Sequence, residues 1–109
     1  MANTFKLKTK ANVGVTTVGI YTAPAATTTV VIGITMANTS GSGVNVGVGI
    51  TRAGTTEDIK LLKNAPLPQG SSLEFMAGNK VVLEATDTLT VDSDTNNSVD
   101  AALTIMEIT

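Results

Sequence analysis

Apolar and polar residues alternate with a period of two along most of this chain. The pattern is clearest from Thr28 to Arg52. Val30, Ile32, Ile34 and Met36 share one parity, and so do Val44, Val46, Val48 and Ile50. A period of two places such residues on one face of a strand. Between the two runs lies Asn38-Thr39-Ser40-Gly41-Ser42-Gly43, small and glycine-rich, which predicts a hairpin loop. Further strands are predicted over Val15–Thr22, Glu57–Lys63, Ser71–Met76, Lys80–Glu84, Asp87–Asp92 and Val99–Ile108. Ala23-Pro24 ends the first of these, because proline donates no ladder hydrogen bond. Asn64–Gly70, with two prolines, predicts a rigid connection. Ala77-Gly78-Asn79 predicts a tight turn after which Lys80–Glu84 returns, and Ser93–Ser98 predicts a polar hairpin turn.

About eight strands with turn signals at roughly ten-residue intervals predict an all-β, single-domain antiparallel β-sandwich. Strand count does not separate a jelly roll from an Ig-like order. Residues 16–109 form the expected sandwich, and residues 1–15 an N-terminal arm or edge strand. In that arm Lys6, Lys8 and Lys10 alternate with Phe5, Leu7 and Thr9, giving one basic and one apolar face. Three of the seven basic residues fall in these ten positions. That concentration makes Phe5, Lys6, Leu7, Lys8 and Lys10 the candidate docking residues, suited to an acidic partner surface.

Composition sharpens the picture mainly by exclusion. A chain of 109 residues is one domain, hiding roughly 65% of the surface its unfolded form exposes. Charged residues make up 15%, below the usual quarter, and threonine and valine suit a pleated surface. The net charge of −2 argues against nucleic acid as a partner, since such binders carry a basic face. With no histidine and no cysteine, the common zinc sites, disulfides and His-based triads cannot form. No apolar run nears the ~20 residues of a membrane span, so no membrane partner is expected. The opening MANTFKLKTK has no apolar segment after its lysines and is not read as a signal peptide. Release from a cell would then use another route, such as lysis.

Candidate chemistry is sparse. Asp92-Ser93-Asp94-Thr95-Asn96 matches the opening of a calcium loop, but Asn97 and Leu103 stand where an EF-hand needs glycine and glutamate. A solvated turn is the better reading, with no cofactor expected. Glu57 and Asp58 are adjacent and read as a plain surface turn; neighbours on a strand point to opposite faces, which suits no carboxylate pair. Asp87 reads as a turn former. Gly47 and Gly49 lie opposite the apolar parity of their strand, either for close approach of another subunit or for packing within the sheet. Asn38-Thr39-Ser40 and Asn96-Asn97-Ser98 fit glycosylation acceptors but read as turns. No two candidates lie at a catalytic spacing, so no enzyme is expected.

The stretch NAPLPQGSSLEFMAGNKVVLEATDTLTV resembles small virion proteins of tailed bacteriophages, especially those infecting marine cyanobacteria. The pattern is Pro-x-Pro-x-Gly-Ser-Ser-Leu, a Gly-Asn-Lys turn, then Leu-Glu-Ala-x-Asp. IYTAPAATTTVVIGITMANTS and the ending ALTIMEIT are similar to the same group. The motifs are structural turns and carry no active residues. The resemblance implies a multi-copy part of a phage particle, with the major capsid protein or other virion proteins as partners. A capsid decoration (cement) protein, as a homo-oligomer such as a trimer, is the first expectation. A tail, neck or fibre-attachment component follows it. A glycan-binding module on the virion is the expectation from a different class. On this reading, deleting residues 1–10 abolishes particle binding and leaves the fold intact.

Overall fold

The computed structural model describes residues 3–54, 57–75 and 80–109, apart from the Phe75 side chain. The strands run in chain order as β1 (Asn3–Val13), β2 (Val18–Thr22), β3 (Thr28–Asn38), β4 (Val44–Arg52), β5 (Glu57–Leu67), β6 (Ser72–Phe75), β7 (Val81–Leu83), β8 (Thr88–Ser93) and β9 (Val99–Ile108). They form two antiparallel sheets. One has the order β1-β9-β3, with β6 and β7 on the far side of β3; the other has the order β2-β8-β4-β5. The predicted all-β sandwich is present.

Strand order also decides the topology. β6 pairs Ile34–Ala37 and β7 pairs Thr29–Val31, both antiparallel to β3. They are therefore two pieces of one interrupted edge strand. Counting them together gives eight strands paired from the chain ends inward: first with last, second with seventh, third with sixth, fourth with fifth. A long hairpin with its tip between β4 and β5, rolled so that its pairs alternate between two sheets, has this order. It is a jelly roll.

This topology corrects several expectations. Thr28–Arg52 is not a hairpin: β3 and β4 lie in different sheets, and residues 39–43 cross between them. Ser93–Ser98 likewise crosses from β8 to β9 and is not a hairpin turn. Lys80–Glu84 does not return beside Ser71–Met76; β7 continues in the direction of β6 along β3. The predicted turn at Ala77–Asn79 lies outside the described residues, as do Thr55 and Thr56. Asn64–Leu67 is not a connection, since β5 runs on to Leu67 and Pro66 pairs with Asn45. β5 is the outer strand of its sheet, where a missing N–H costs no ladder bond.

The interior is filled by the inward rows of both sheets. Val99, Ala101, Leu103 and Ile105 of β9 face Val46, Val48, Leu89 and Val91 of the other sheet, all at most 3% exposed. In β3 the parity changes midway. The register slips between Val31 and Gly33, so Thr29, Val31, Ile34 and Met36 point inward. Val30 and Ile32, expected in the core, are half-buried on the outer face. A bulge inserts one unpaired residue and reverses the alternation beyond it.

Candidate interaction surface

β1 pairs with β9 alone, so one long edge of it is open. Its register places Phe5 opposite Met106, Leu7 opposite Thr104 and Thr9 opposite Ala102, all on the outer face. Lys6, Lys8 and Lys10 lie opposite Ile105, Leu103 and Ala101 on the inward side. The five docking candidates therefore form two rows on opposite faces. The usual rule is inverted here, because the apolar row faces solvent. Phe5 is 68% exposed and Leu7 65%. The lysines sit where β1 borders β2 at the side of the sandwich, and their long stems carry the ammonium groups out to water. Inward lysines on an edge strand also discourage further strand pairing.

Beneath Lys6 is a buried polar cluster that the alternation concealed. Glu107 occupies the fifth inward position of β9, after four apolar residues. Its Oε1 receives Lys6 Nζ at 2.8 Å, and its Oε2 accepts the Tyr21 hydroxyl at 2.6 Å. The Thr29 hydroxyl lies 2.8 Å from the Tyr21 oxygen and donates to it, since the tyrosine proton is committed to the carboxylate. Burial, then the bond to Glu107, pushes Tyr21 up to about 12. The Lys6 and Tyr21 hydrogen bonds hold the Glu107 carboxyl below the usual carboxylate range. Tyr21 reaches this cluster through the β2 irregularity between Gly19 and Tyr21; it and Ile20 are both buried. The only sequence signal was a glutamate in phase with a core row.

A second cluster lines a cleft of about 340 Å³ among Ile50, Arg52, Ile59, Val82, Glu84 and Asp87. Arg52 Nε lies 3.2 Å from Asp87 Oδ2, and its Nη2 contacts Glu84 Oε1. The Asp87 contact is one of charge without hydrogen-bond alignment. The Asp87 and Glu84 carboxylates push the Arg52 guanidinium above its ordinary value. Asp87 also accepts the Glu84 backbone N–H at 3.1 Å and donates its own N–H to the Glu84 carbonyl at 3.0 Å. Its role is to form the turn before β8, with Arg52 balancing its buried charge.

The acidic turn is committed to bonds with segments distant in sequence. Asp92 accepts the Thr17 hydroxyl at 2.9 Å, and Asp94 accepts the Asn45 N–H at 3.0 Å. No group of three or more metal-ligating side chains occurs among the described residues. Asp58 accepts the Thr51 hydroxyl at 3.0 Å. Gly47 and Gly49 have a local purpose. A Cβ on Gly47 would lie 2.5 Å from Asp92 Oδ1, and one on Gly49 would lie 2.8 Å from the Ile59 carbonyl oxygen. Both are crowded by neighbouring strands of their own sheet.

The remaining feature is the outer face of the β1-β9-β3 sheet. Phe5, Leu7, Val30, Ile32, Val82 and Met106 occupy one half of it. In the other half a groove of about 340 Å³ is floored largely by small residues, among them Thr9, Ala11, Thr35, Ala37 and Ala102, with Lys10 and Asp100 also lining it.

No family model and no curated protein matches this sequence. The fold is similar to a chain of the infectious bursal disease virus particle, with a TM-score of 0.57 and 15% identity over 96% of this chain. The match spans 30% of that longer viral chain. A protein of the Bacillus endospore appendages, which form disulfide-linked pili, has the same TM-score and identity over 99% of this chain and 87% of its own. A chain of the cyanophage Pam1 capsid superposes with a TM-score of 0.42 and 12% identity, over 95% of this chain and 85% of its own. The likeness to the first two is one of fold.

Proposed function

We propose that this chain is a non-enzymatic structural protein of a bacteriophage virion, and specifically a capsid decoration (cement) protein that binds and stabilises the shell. The observation that carries this reading is β1. Its apolar row points away from the interior that would use it, and its lysine row lines the side of the sandwich. Such a strand serves contacts with other proteins. The resemblance of the Asn64–Val91 stretch to phage virion proteins supports the particle as the place of those contacts. The titratable clusters are consistent with a structural role, since each is tied into a turn or across the sandwich. Within this reading the lysine row docks on an acidic surface of the shell, and the apolar row is covered on assembly.

Cryo-electron microscopy of purified particles, with copy counting, tests the reading. Many copies on the shell lattice are the expected result. A few copies at the neck or tail would move the protein to the tail, neck or fibre-attachment class. Absence from particles would overturn the virion reading and favour glycan binding. Deleting residues 1–10 is a poor test, because it removes most of a paired strand and strips Lys6 from buried Glu107. Lys8→Gln with Lys10→Gln keeps the strand and the Lys6–Glu107 pair without adding a negative charge near Glu107, and should lower occupancy on particles with little change in the thermal melt.

A further inference from the structure

The outer face of the β1-β9-β3 sheet is where the fold leaves apolar side chains without a use. Outward positions of its paired strands carry only two charges among the described residues, Glu74 and Asp100, both in the half with small residues. Three strands about ten residues long, with the described β6 and β7 beside them, give a face of roughly 600 Å² at about 4.8 by 3.4 Å per residue. Two copies would together bury about 1,200 Å², above the ~1,000 Å² expected of a specific interface. Within it Phe5, Leu7 and Val82 are exposed large apolar side chains, the kind of patch that marks an interaction site.

We infer that two copies of this chain pack face to face through this sheet, about a two-fold axis lying across the strands near Lys8 and Leu103. The argument is the distribution of bulk. Such an axis sets each strand over its own counterpart, running the opposite way. Leu7 of one copy then lies over Thr9 of the other, Phe5 over Ala11, Val30 over Ala37 and Val82 over Ser72, while on β9 Met106 lies over Asp100. Large meets small on three of the strands, and each contact occurs twice, as a two-fold interface requires. An axis along the strands would instead stack bulk on bulk and bring the Glu74 and Asp100 carboxylates of both copies to one end. Face-to-face packing at about 10 Å with strand directions within about 30° is the ordinary sheet-on-sheet arrangement.

The alternative, adding strands edge to edge, is discouraged at three of the four edges. β1 carries inward lysines, and β2 is five residues long with a register break. β5 holds Pro66 and two register shifts. These are the usual devices against edge pairing. The inferred contact leaves Lys6 and Lys8 of β1 free, so it does not depend on the virion reading.

The test is sedimentation equilibrium of the whole chain over a range of concentrations, with wild type, Leu7→Glu, Ala102→Arg and Lys63→Glu. A wild-type dimer is expected. Leu7→Glu and Ala102→Arg, at opposite ends of the face, should each raise its dissociation constant by about tenfold or more, the loss of one buried apolar contact. Lys63→Glu, on β5 of the other sheet, should leave it unchanged. Leu7 is 65% exposed, so its replacement should not alter the melting of the separated chain. A wild-type monomer at every concentration would overturn the inference and point to another virion protein on this face. A trimer, or a dimer indifferent to both variants, would overturn it as well. Copy counting on particles reads the virion proposal separately, whichever result is obtained.

Discussion

Gly49→Ala isolates one methyl group and separates two uses of the glycines in β4. β4 is an inner strand, between β8 and β5. The added Cβ would lie 2.8 Å from the Ile59 carbonyl oxygen and 3.2 Å from Thr90 Oγ1. The first contact is with backbone, so the strand itself has to move. β5 already bulges here, with its register shifting between the partners of Val48 and Gly49. Forcing a methylene-sized group into a filled site costs about 1–3 kcal/mol. For a domain near 100 residues that is a fall in Tm of roughly 5–15 °C. The assay is thermal and urea unfolding followed by circular dichroism, at low protein concentration. Gly41→Ala and Gly54→Ala are the controls, because neither Cβ would meet an atom within 4 Å and neither residue has positive φ. They should fall within about 0.5 kcal/mol of wild type or slightly above it. If Gly49→Ala melts with wild type when dilute and differs only in self-association, the glycine serves subunit approach and the packing argument is wrong.

Other perturbations test other links. Glu107 has its folded pKa lowered by Lys6 and Tyr21; its contribution is full above the unfolded carboxylate range and is lost as pH falls through the folded value. Urea midpoints across acidic pH should therefore decline less steeply in Glu107→Gln than in wild type. Tyr21 is the only tyrosine, so phenolate absorbance of the folded protein should titrate near the value of about 12 rather than the ordinary 10.0. Its stabilising effect is complete below the unfolded value and fades as pH rises through the folded one. Thr86 holds φ at 70°, a costly conformation for a β-branched residue; Thr86→Gly should raise stability by about 1 kcal/mol in denaturant titration. Leu103→Ala, at a fully buried central position, should cost about 2–5 kcal/mol in the same assay.

The strands were legible because their side chains alternate, and the sandwich because so many short strands follow one another. Which strands pair was not. Residues 39–43 illustrate the reason. Five residues reach up to about 17 Å, and the two sheets of a sandwich lie about 10 Å apart. The same polar, glycine-rich segment can therefore close a hairpin or cross the sandwich. Asn38 favours the crossing through a contact distant in sequence: its Nδ2, which donates locally to the Ser42 carbonyl at 2.8 Å, also donates to the Leu67 carbonyl at 3.0 Å. The bulge at Ile32–Gly33 was equally hidden. It depends on β9 having one residue fewer over that span, a property of the partner strand.

The docking candidates reveal a subtler limit. Alternation in residues 3–10 gave two faces correctly, but nothing in the segment says which face looks inward. An ordinary strand would bury Phe5 and Leu7. Here Glu107 on β9 decides, because a buried carboxylate costs dearly unless a cation meets it, and Lys6 lies on the same face as Glu107, with its ammonium 2.8 Å from the carboxylate. Turning β1 over would bury two more apolar side chains, yet leave Glu107 without that cation and slip every pair by one residue. The orientation that stabilises the isolated chain is thus the one that leaves Phe5 and Leu7 facing solvent. Lys6→Met with Glu107→Leu removes the constraint. The double variant should weaken the preference for this register, read as broadened amide resonances in β1; unchanged sharp resonances and protection there would show that Glu107 does not set the strand's orientation.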